Sequence, residues 1–262
     1  MGKIYAVASQ KGGVGKTTSS FNVGSARAEM GKKVLLADLD QQGSLTKYAG
    51  LSPKQLKETI YDVLKSTAFS TRQKPAKPLS SVIRQVRPNL HLVPANNELA
   101  SLDIEIVSAT QREYILRRAL EPLKASYDEI FIDCPPNLGL LVINALAAAD
   151  EVFIPLQTDF LATQGVTDLL ETVEYVQERL NPSLSYAGIL LTQADERTMH
   201  TREIIKKARD DFNGRIRVFS EVVRMSVRVK ESPIEAKSVM EYDPDGQAAR
   251  AYRSVAEELG HG

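Results

Sequence analysis

Short apolar runs alternate along the chain with longer stretches in which apolar residues recur every three or four positions. The runs 3–9, 33–38, 90–93 (Leu90-His91-Leu92-Val93), 128–133, 151–156 and 186–192 are nearly continuous in apolar residues. Strands buried on both faces have that composition, whereas half-exposed strands alternate. Segments 17–30, 54–66, 97–107, 111–125, 138–148, 163–180, 201–212 and 246–259 carry the helical period. Strand and helix in alternation predict an α/β fold, a mostly parallel twisted sheet with helices on both faces. Phe21, Gly24 and Ala28 fall on one face of the first helix, set for the sheet, and Gly31 has C-cap chemistry. Residues 67–80, with Lys74, Pro75, Lys77 and Pro78 among Ser and Thr, read as an exposed loop. No repeat, low-complexity tract or composition break divides the chain, so a single domain over 1–262 is expected.

The first strand runs into Gln10-Lys11-Gly12-Gly13-Val14-Gly15-Lys16-Thr17-Thr18, and a helix pattern follows. Strand, glycine loop and helix start in that order make a phosphate cradle. The glycines allow positive φ and close backbone approach to an anion, and loop N–H groups with the helix N-terminus converge on phosphate. Lys16 is placed for the β- and γ-phosphates and the Thr17 hydroxyl for Mg²⁺. A glycine-rich turn without a ligand is the bland alternative, and it leaves the Gly-Lys-Thr spacing without a purpose.

Two strand ends add carboxylates. Val34–Asp38 leads into Asp38-Leu39-Asp40-Gln41-Gln42-Gly43-Ser44, and Ile130–Ile132 into Asp133-Cys134-Pro135-Pro136. In parallel sheets, ligands sit beyond the carboxyl ends of strands. Asp40 is placed to orient or deprotonate an attacking water, or to join a metal shell. Asp38 reads equally as a structural partner of its own loop. Asp133 has the form of a Walker B acid that holds Mg²⁺ through a water; the alternative is a strand-end cap. Cys134 reads as a small packed residue rather than a reactive thiol. Lys11, five positions before the phosphate lysine, is on spacing alone either a solvated turn lysine or a functional cation.

Composition changes this picture little. The chain has 43% hydrophobic and 25% charged residues and a formal net charge of zero, so attraction to nucleic acid or membrane must come from local patches. One cysteine excludes an internal disulfide and fits a reducing compartment. Met1-Gly2-Lys3 runs directly into the first strand, so neither a signal peptide nor a preceding DNA-reading domain is expected. No apolar segment approaches the roughly 18 residues of a membrane span. The expected location is the cytoplasm.

Lys-Gly-Gly-Val-Gly-Lys-Thr-Thr at 11–18 resembles the deviant Walker A motif of the ParA/MinD class of P-loop ATPases. Residues 38–44 are similar to that class's switch I, and Ile-Asp-Cys-Pro-Pro at 132–136 to its Walker B. Leu138-Gly139 to Leu146, Pro155-Leu156-Gln157, Leu180-Asn181-Pro182 and Glu241-Tyr242-Asp243-Pro244 extend the likeness to ParA/Soj partition ATPases over essentially the whole chain. The resemblance implies a P-loop NTPase-like fold, ATP and Mg²⁺ as ligands, and an ATP-sandwich homodimer in which Lys11 reaches the partner's phosphates. It assigns phosphate binding to Lys11 through Thr18, hydrolysis to Lys11, Lys16 and Asp40, and metal binding to Thr17, Asp40 and Asp133. Adenine contacts are expected from Arg224, Met225 and Gln193. Gln41 stands where the family usually has Pro, Asn137 where it often has Ser, and Arg224-Met225-Ser226-Val227-Arg228 where Pro-Arg-Asn-Val-Arg is commoner.

Between Arg197 and Lys230 stand ten Lys/Arg and four acids, about +6 in a neutral chain. Such a segment is either a solvated basic face or a set of phosphate contacts giving salt-sensitive, nonspecific DNA binding. The resemblance favours DNA, with Arg224 and Arg228 as first candidates and Arg202, Lys206 and Arg217 behind them. It also implies nucleoid association and a ParB-like adaptor that stimulates hydrolysis; the basic N-terminal tail common in the family is almost absent. A membrane-cycling MinD type needs a basic amphipathic C-terminal helix, and Ser254–Gly262 has two acids and little apolar mass. An iron–sulfur carrier on this fold needs cysteines at cluster spacing.

Overall fold

The computed structural model describes residues 2–158, 162–195 and 198–261, apart from the side chains of 162–165 and 200. Its strands are β1 (Lys3–Val7), β2 (Val34–Asp38), β3 (Arg84–Arg87), β4 (Leu90–Val93), β5 (Glu129–Asp133), β6 (Glu151–Gln157), β7 (Ser185–Ala194) and β8 (Val223–Arg224). All belong to one sheet in the order β3-β4-β2-β5-β1-β6-β7-β8. Pairing is parallel except for β3, which turns back antiparallel on β4 at one edge. The helices are α1 (Lys16–Glu29), α2 (Ser44–Tyr48), α3 (Ile60–Ala68), α4 (Leu99–Glu105), α5 (Ile115–Leu120) and α6 (Leu140–Ala148). They continue with α7 (Ala162–Arg179), α8 (Met199–Phe212), α9 (Val227–Glu231), α10 (Val239–Tyr242) and α11 (Gln247–Gly260).

Period-two alternation sends the strands' side chains into two separate cores. Ile4 and Ala6, Leu35 and Ala37, Ile130 and Ile132, and Val152 and Ile154 face one core with residues of α3 to α8. Tyr5 and Val7, Val34 and Leu36, Phe131 and Phe153 face the other with residues of α1, α2, α10 and α11. The central strands are therefore buried on both sides, which is why they read as unbroken apolar runs.

Several elements differ from the sequence reading. The predicted helix 54–66 is a 3-10 turn at Pro53–Gln55 followed by α3, because Thr59 stops the run and starts a new helix. Its side chain accepts from Tyr61 N, and Asp62 accepts from Thr59 N at 2.8 Å in a capping box. Segment 111–125 breaks into short turns around α5, at Gln111 in the left-handed region and at Pro122. β3, β8, α2, α9 and α10, none longer than five residues, carry too little periodicity to be found. The expected loop 67–80 is irregular from Phe69 to Pro78 and ends in a 3-10 turn at Leu79–Val82. Among the described residues no helix is long and apolar enough to cross a membrane.

Candidate functional site

Parallel pairing brings the ends of β1, β2, β5 and β7 to one edge of the sheet, and the site is built there. After β1 the chain turns through Gly13 (φ 76) and Gly15 (φ 93), and Gly15 is the N-cap of α1. Both need the left-handed region that glycine enters without a Cβ penalty. Gly12 is not in that region, contrary to expectation, and a Cβ there would meet nothing within 4 Å. Lys16 Nζ donates to Lys11 O at 3.1 Å, so the ammonium closes the loop over its own start.

Asp133, at the end of β5, is 1% exposed and lies behind the loop. Thr17 Oγ1 donates to its Oδ2 at 2.8 Å and Ser20 Oγ to its Oδ1 at 3.0 Å. Burial, and then the charge of Asp38 opposite it on β2, push Asp133 up to about 8. A dication beside Thr17 would reverse that logic and hold the carboxylate ionised. Hydroxyl and carboxylate oxygens are the hard donors that suit Mg²⁺, which takes few protein ligands and keeps waters and phosphate oxygens. Among the described residues no cluster of three or more His, Cys, Asp or Glu is arranged for a metal. The Thr17–Asp133 pair fits a metal shared with a phosphate chain. Burial pulls Lys16 below its usual value, and Asp133 opposes that most strongly.

Asp38 turns out to organise its own loop. Its carboxylate accepts from Thr46 N at 2.8 Å, Thr46 Oγ1 at 2.7 Å and Asp40 N at 3.2 Å. It is fully buried, and burial raises it to about 6 against those three donors. Asp40 is half-buried, accepts from Gln42 N at 2.9 Å and faces the cavity. Cys134 is buried at 1% exposure with its thiol pushed up by burial, as a packed residue should be.

The cavity measures about 700 Å³. Gly12, Gly13, Gly15, Lys16, Thr17 and Thr18 line it, with Asp40, Ser44 and Lys47. Pro136, Thr192, Gln193, Val223 to Ser226, Val229, Lys230, Pro233, Tyr48 and Tyr252 also line it. The proposed adenine residues Arg224, Met225 and Gln193 therefore share a cavity with the phosphate loop. Gln193 also donates its side-chain amide to Gly13 O. Lys47, Tyr48, Pro233 and Tyr252 were missed, since they lie outside the motif spacings, on α2, in the turn after α9 and on α11. Val14 is buried with its carbonyl accepting from Thr192 Oγ1 at 2.7 Å. Lys11 is half-buried and is not among the lining residues.

A second groove of about 640 Å³ adjoins the first and is lined by Asp195, Arg202, Arg224, Met225, Val227 and Lys230. Arg228 is exposed on α9, 3.3 Å from Glu231, and Lys206 is exposed on α8. Arg217 stands apart. Its guanidinium donates to Ala187 O at 2.7 and 3.1 Å and to Glu258 O at 3.3 Å, and stacks on Phe219. Those donors hold β7 and α11, a structural task for a side chain that is still exposed. Arg197 lies outside the described residues.

A family model described as an AAA domain matches residues 2–186. The sporulation initiation inhibitor protein Soj of Bacillus subtilis is 42% identical over 260 residues, covering 99% of this chain and 98% of that protein. The chromosome partitioning protein ParA of Caulobacter vibrioides is 38% identical over 259 residues, covering 98% and 93%. A solved structure described as cobyrinic acid a,c-diamide synthase of Mycobacterium smegmatis, with bound ADP and magnesium, superposes with a TM-score of 0.83. It is 35% identical and covers 98% of this chain and 93% of its own. With agreement of this extent along its whole length, the chain belongs to the Soj/ParA family of partition ATPases.

Proposed function

We propose that the protein is a Mg²⁺-dependent ATPase whose ATP-bound homodimer binds DNA without sequence preference and lets go after hydrolysis. The observation that carries this reading is the cavity lined by both the phosphate loop and Arg224, Met225 and Lys230 of the basic segment. A nucleotide there touches both the chemistry and the DNA-facing residues.

Loop N–H groups and Lys16 hold the β- and γ-phosphates, and Thr17 with Asp133 holds the metal, Asp133 acting from behind. Mg²⁺ supplies charge neutralisation at the phosphate oxygens. Asp40, facing the cavity, orients the attacking water. Lys11, half-buried at the start of the loop, would reach the phosphates of a facing subunit. Arg224 and Arg228, with Arg202, Lys206 and Arg217 behind them, supply exposed cations for DNA phosphates. A ParB-like adaptor would stimulate hydrolysis, loosening loops and interface together in a cytoplasmic, nucleoid-bound cycle that positions a plasmid, chromosome region or other cargo. The apolar face of α11, Ala248, Ala251, Tyr252, Val255 and Leu259, is packed in the core rather than presented to a membrane.

The test compares retention on DNA and on anionic liposomes with ATP, ADP and no nucleotide. ATP-dependent DNA retention that falls steeply with salt is expected; liposome retention alone would overturn the reading. Lys16→Ala should abolish nucleotide binding. Asp40→Ala should bind ATP and dimerise yet turn over at least about a hundredfold more slowly, as loss of a positioned water or base predicts.

A further inference from the structure

The end of β7 makes an unusual connection. Thr192, 2% exposed, donates Oγ1 to Val14 O at 2.7 Å, and the Gln193 amide donates to Gly13 O. A trans peptide is planar, with C=O and N–H on opposite sides. Holding the carbonyls of Gly13 and Val14 from the β7 side therefore fixes the next two N–H groups, those of Val14 and Gly15. These belong to the loop expected to cradle phosphate.

Gln193 itself is strained. It has φ 54, a left-handed conformation in a non-glycine residue, costing about 1 kcal/mol or more. It sits at a shift in strand register, since Thr192 pairs with Val223 and Ala194 with Arg224. Met225 N donates to Ala194 O at 3.1 Å. Bulges of this kind bend a strand and re-aim a side chain, here into the phosphate loop. The residues flanking the bulge carry β8, where Arg224 and Met225 begin the segment that runs to Lys230.

We infer that Thr192 and Gln193 are positioning residues that aim the phosphate-binding N–H groups of Val14 and Gly15 and tie their orientation to β8 and the basic segment. The inference rests on the nucleotide reading of the cavity and does not need DNA binding. Phosphate bound to an N–H polarises the carbonyl of the same peptide and strengthens the bonds from Thr192 and Gln193. A phosphate-loaded loop thus steadies the bulge, and with it Val223 to Ser226. Hydrogen bonds at the loop are the signal, and the strained bulge is the element they act on.

The experiment uses the full chain, a fluorescent ADP analogue and ATPγS, with amide hydrogen exchange at 223–226. Thr192→Val keeps the shape and removes the hydroxyl; it should weaken both ligands about tenfold, equivalent to ~1.4 kcal/mol. Thr192→Ser, which keeps the donor, should stay within about threefold, as expected for a lost methyl that leaves the hydrogen bond intact. Gln193→Gly accepts positive φ without strain and removes the whole side chain, its amide donor included. At saturating nucleotide it should lose the exchange protection that the wild-type protein gains at 223–226. Equal affinity of Thr192→Val and wild type, or full protection in Gln193→Gly, would overturn the inference. A wild-type protein that bound neither nucleotide would instead sink the reading of the cavity.

Discussion

At the scale of single residues, similar carboxylates do different work because of what surrounds them. Asp38 and Asp133 end two neighbouring strands and Asp40 follows in the loop after β2, yet Asp38 accepts three hydrogen bonds from its own loop while Asp40 faces the cavity. Sequence could name all three but could not divide the labour, since Thr46 lies eight positions from Asp38 in no standard motif. Outside the site, His91 illustrates the same dependence on surroundings. Its Nδ1 lies 2.9 Å from the Tyr127 hydroxyl, and burial, then the nearby Lys33 charge, lower it below the unfolded value of 6.5. The unfolded chain therefore binds the proton more readily than the folded one. This residue's contribution is complete above that value and is lost as pH falls through 6.5 toward the lower folded value. His91→Gln should flatten that part of a urea-midpoint profile between pH 7 and 5, with the midpoint at pH 7 changed least.

At the scale of elements, the long helices and central strands were legible and the connecting pieces were not. α11 shows a full apolar face, and β1, β2, β5 and β6 are apolar in their interiors because both faces are covered. β8 has two residues, and no pattern of period two can show itself in two residues. β7 conceals a second irregularity at Gly188, φ 140, where an added Cβ would lie 2.9 Å from Arg217 O. That close approach lets 217–219 bond both sides of Ile189, at 2.8 and 2.9 Å. Packing between elements also contains a buried ion pair that periodicity cannot reveal. Arg27 of α1 donates Nε to both Glu129 oxygens of β5 at 2.9 Å, and Nη1 to Ala256 O of α11 at 3.1 Å. Removing one partner strands a buried charge. Arg27→Met should cost roughly 3–5 kcal/mol by chemical denaturation, and adding Glu129→Leu should recover most of it. If the double variant stays as unstable as the single one, the lost α11 tether rather than the stranded carboxylate sets the cost.

At the scale of the whole molecule, the half of the site carried by contiguous loops at 10–18, 38–44 and 132–136 could be read because fixed spacings encode it. In the other half, Gln193, Arg224 and Met225 could be named only from the resemblance, and the sheet order is what brings them, with Pro233 and Tyr252, across to β1. β1 stands between β5 and β6, and the chain leaves it toward β2 on one side and later reaches β6 on the other. Ligands bind at such a switch point, beyond the carboxyl ends of the strands. A nucleotide in this cavity would touch segments from both ends of the chain and both sides of the sheet, so it should stabilise the fold as a unit. Binding to the folded state alone adds about 2.7 kcal/mol at a hundred times the Kd. For a chain of this size each kcal/mol moves Tm by roughly 2–4 °C, so saturating ADP with Mg²⁺ should raise Tm by about 5–11 °C. Lys16→Ala should show no such rise while keeping its own unliganded transition. The cooperativity of the liganded transition is the sharper readout. If the cavity joins both ends of the chain, the transition stays single and shifts whole. A nucleotide held by residues 10–18 alone would stabilise the β1–α1 region first and split the transition in two.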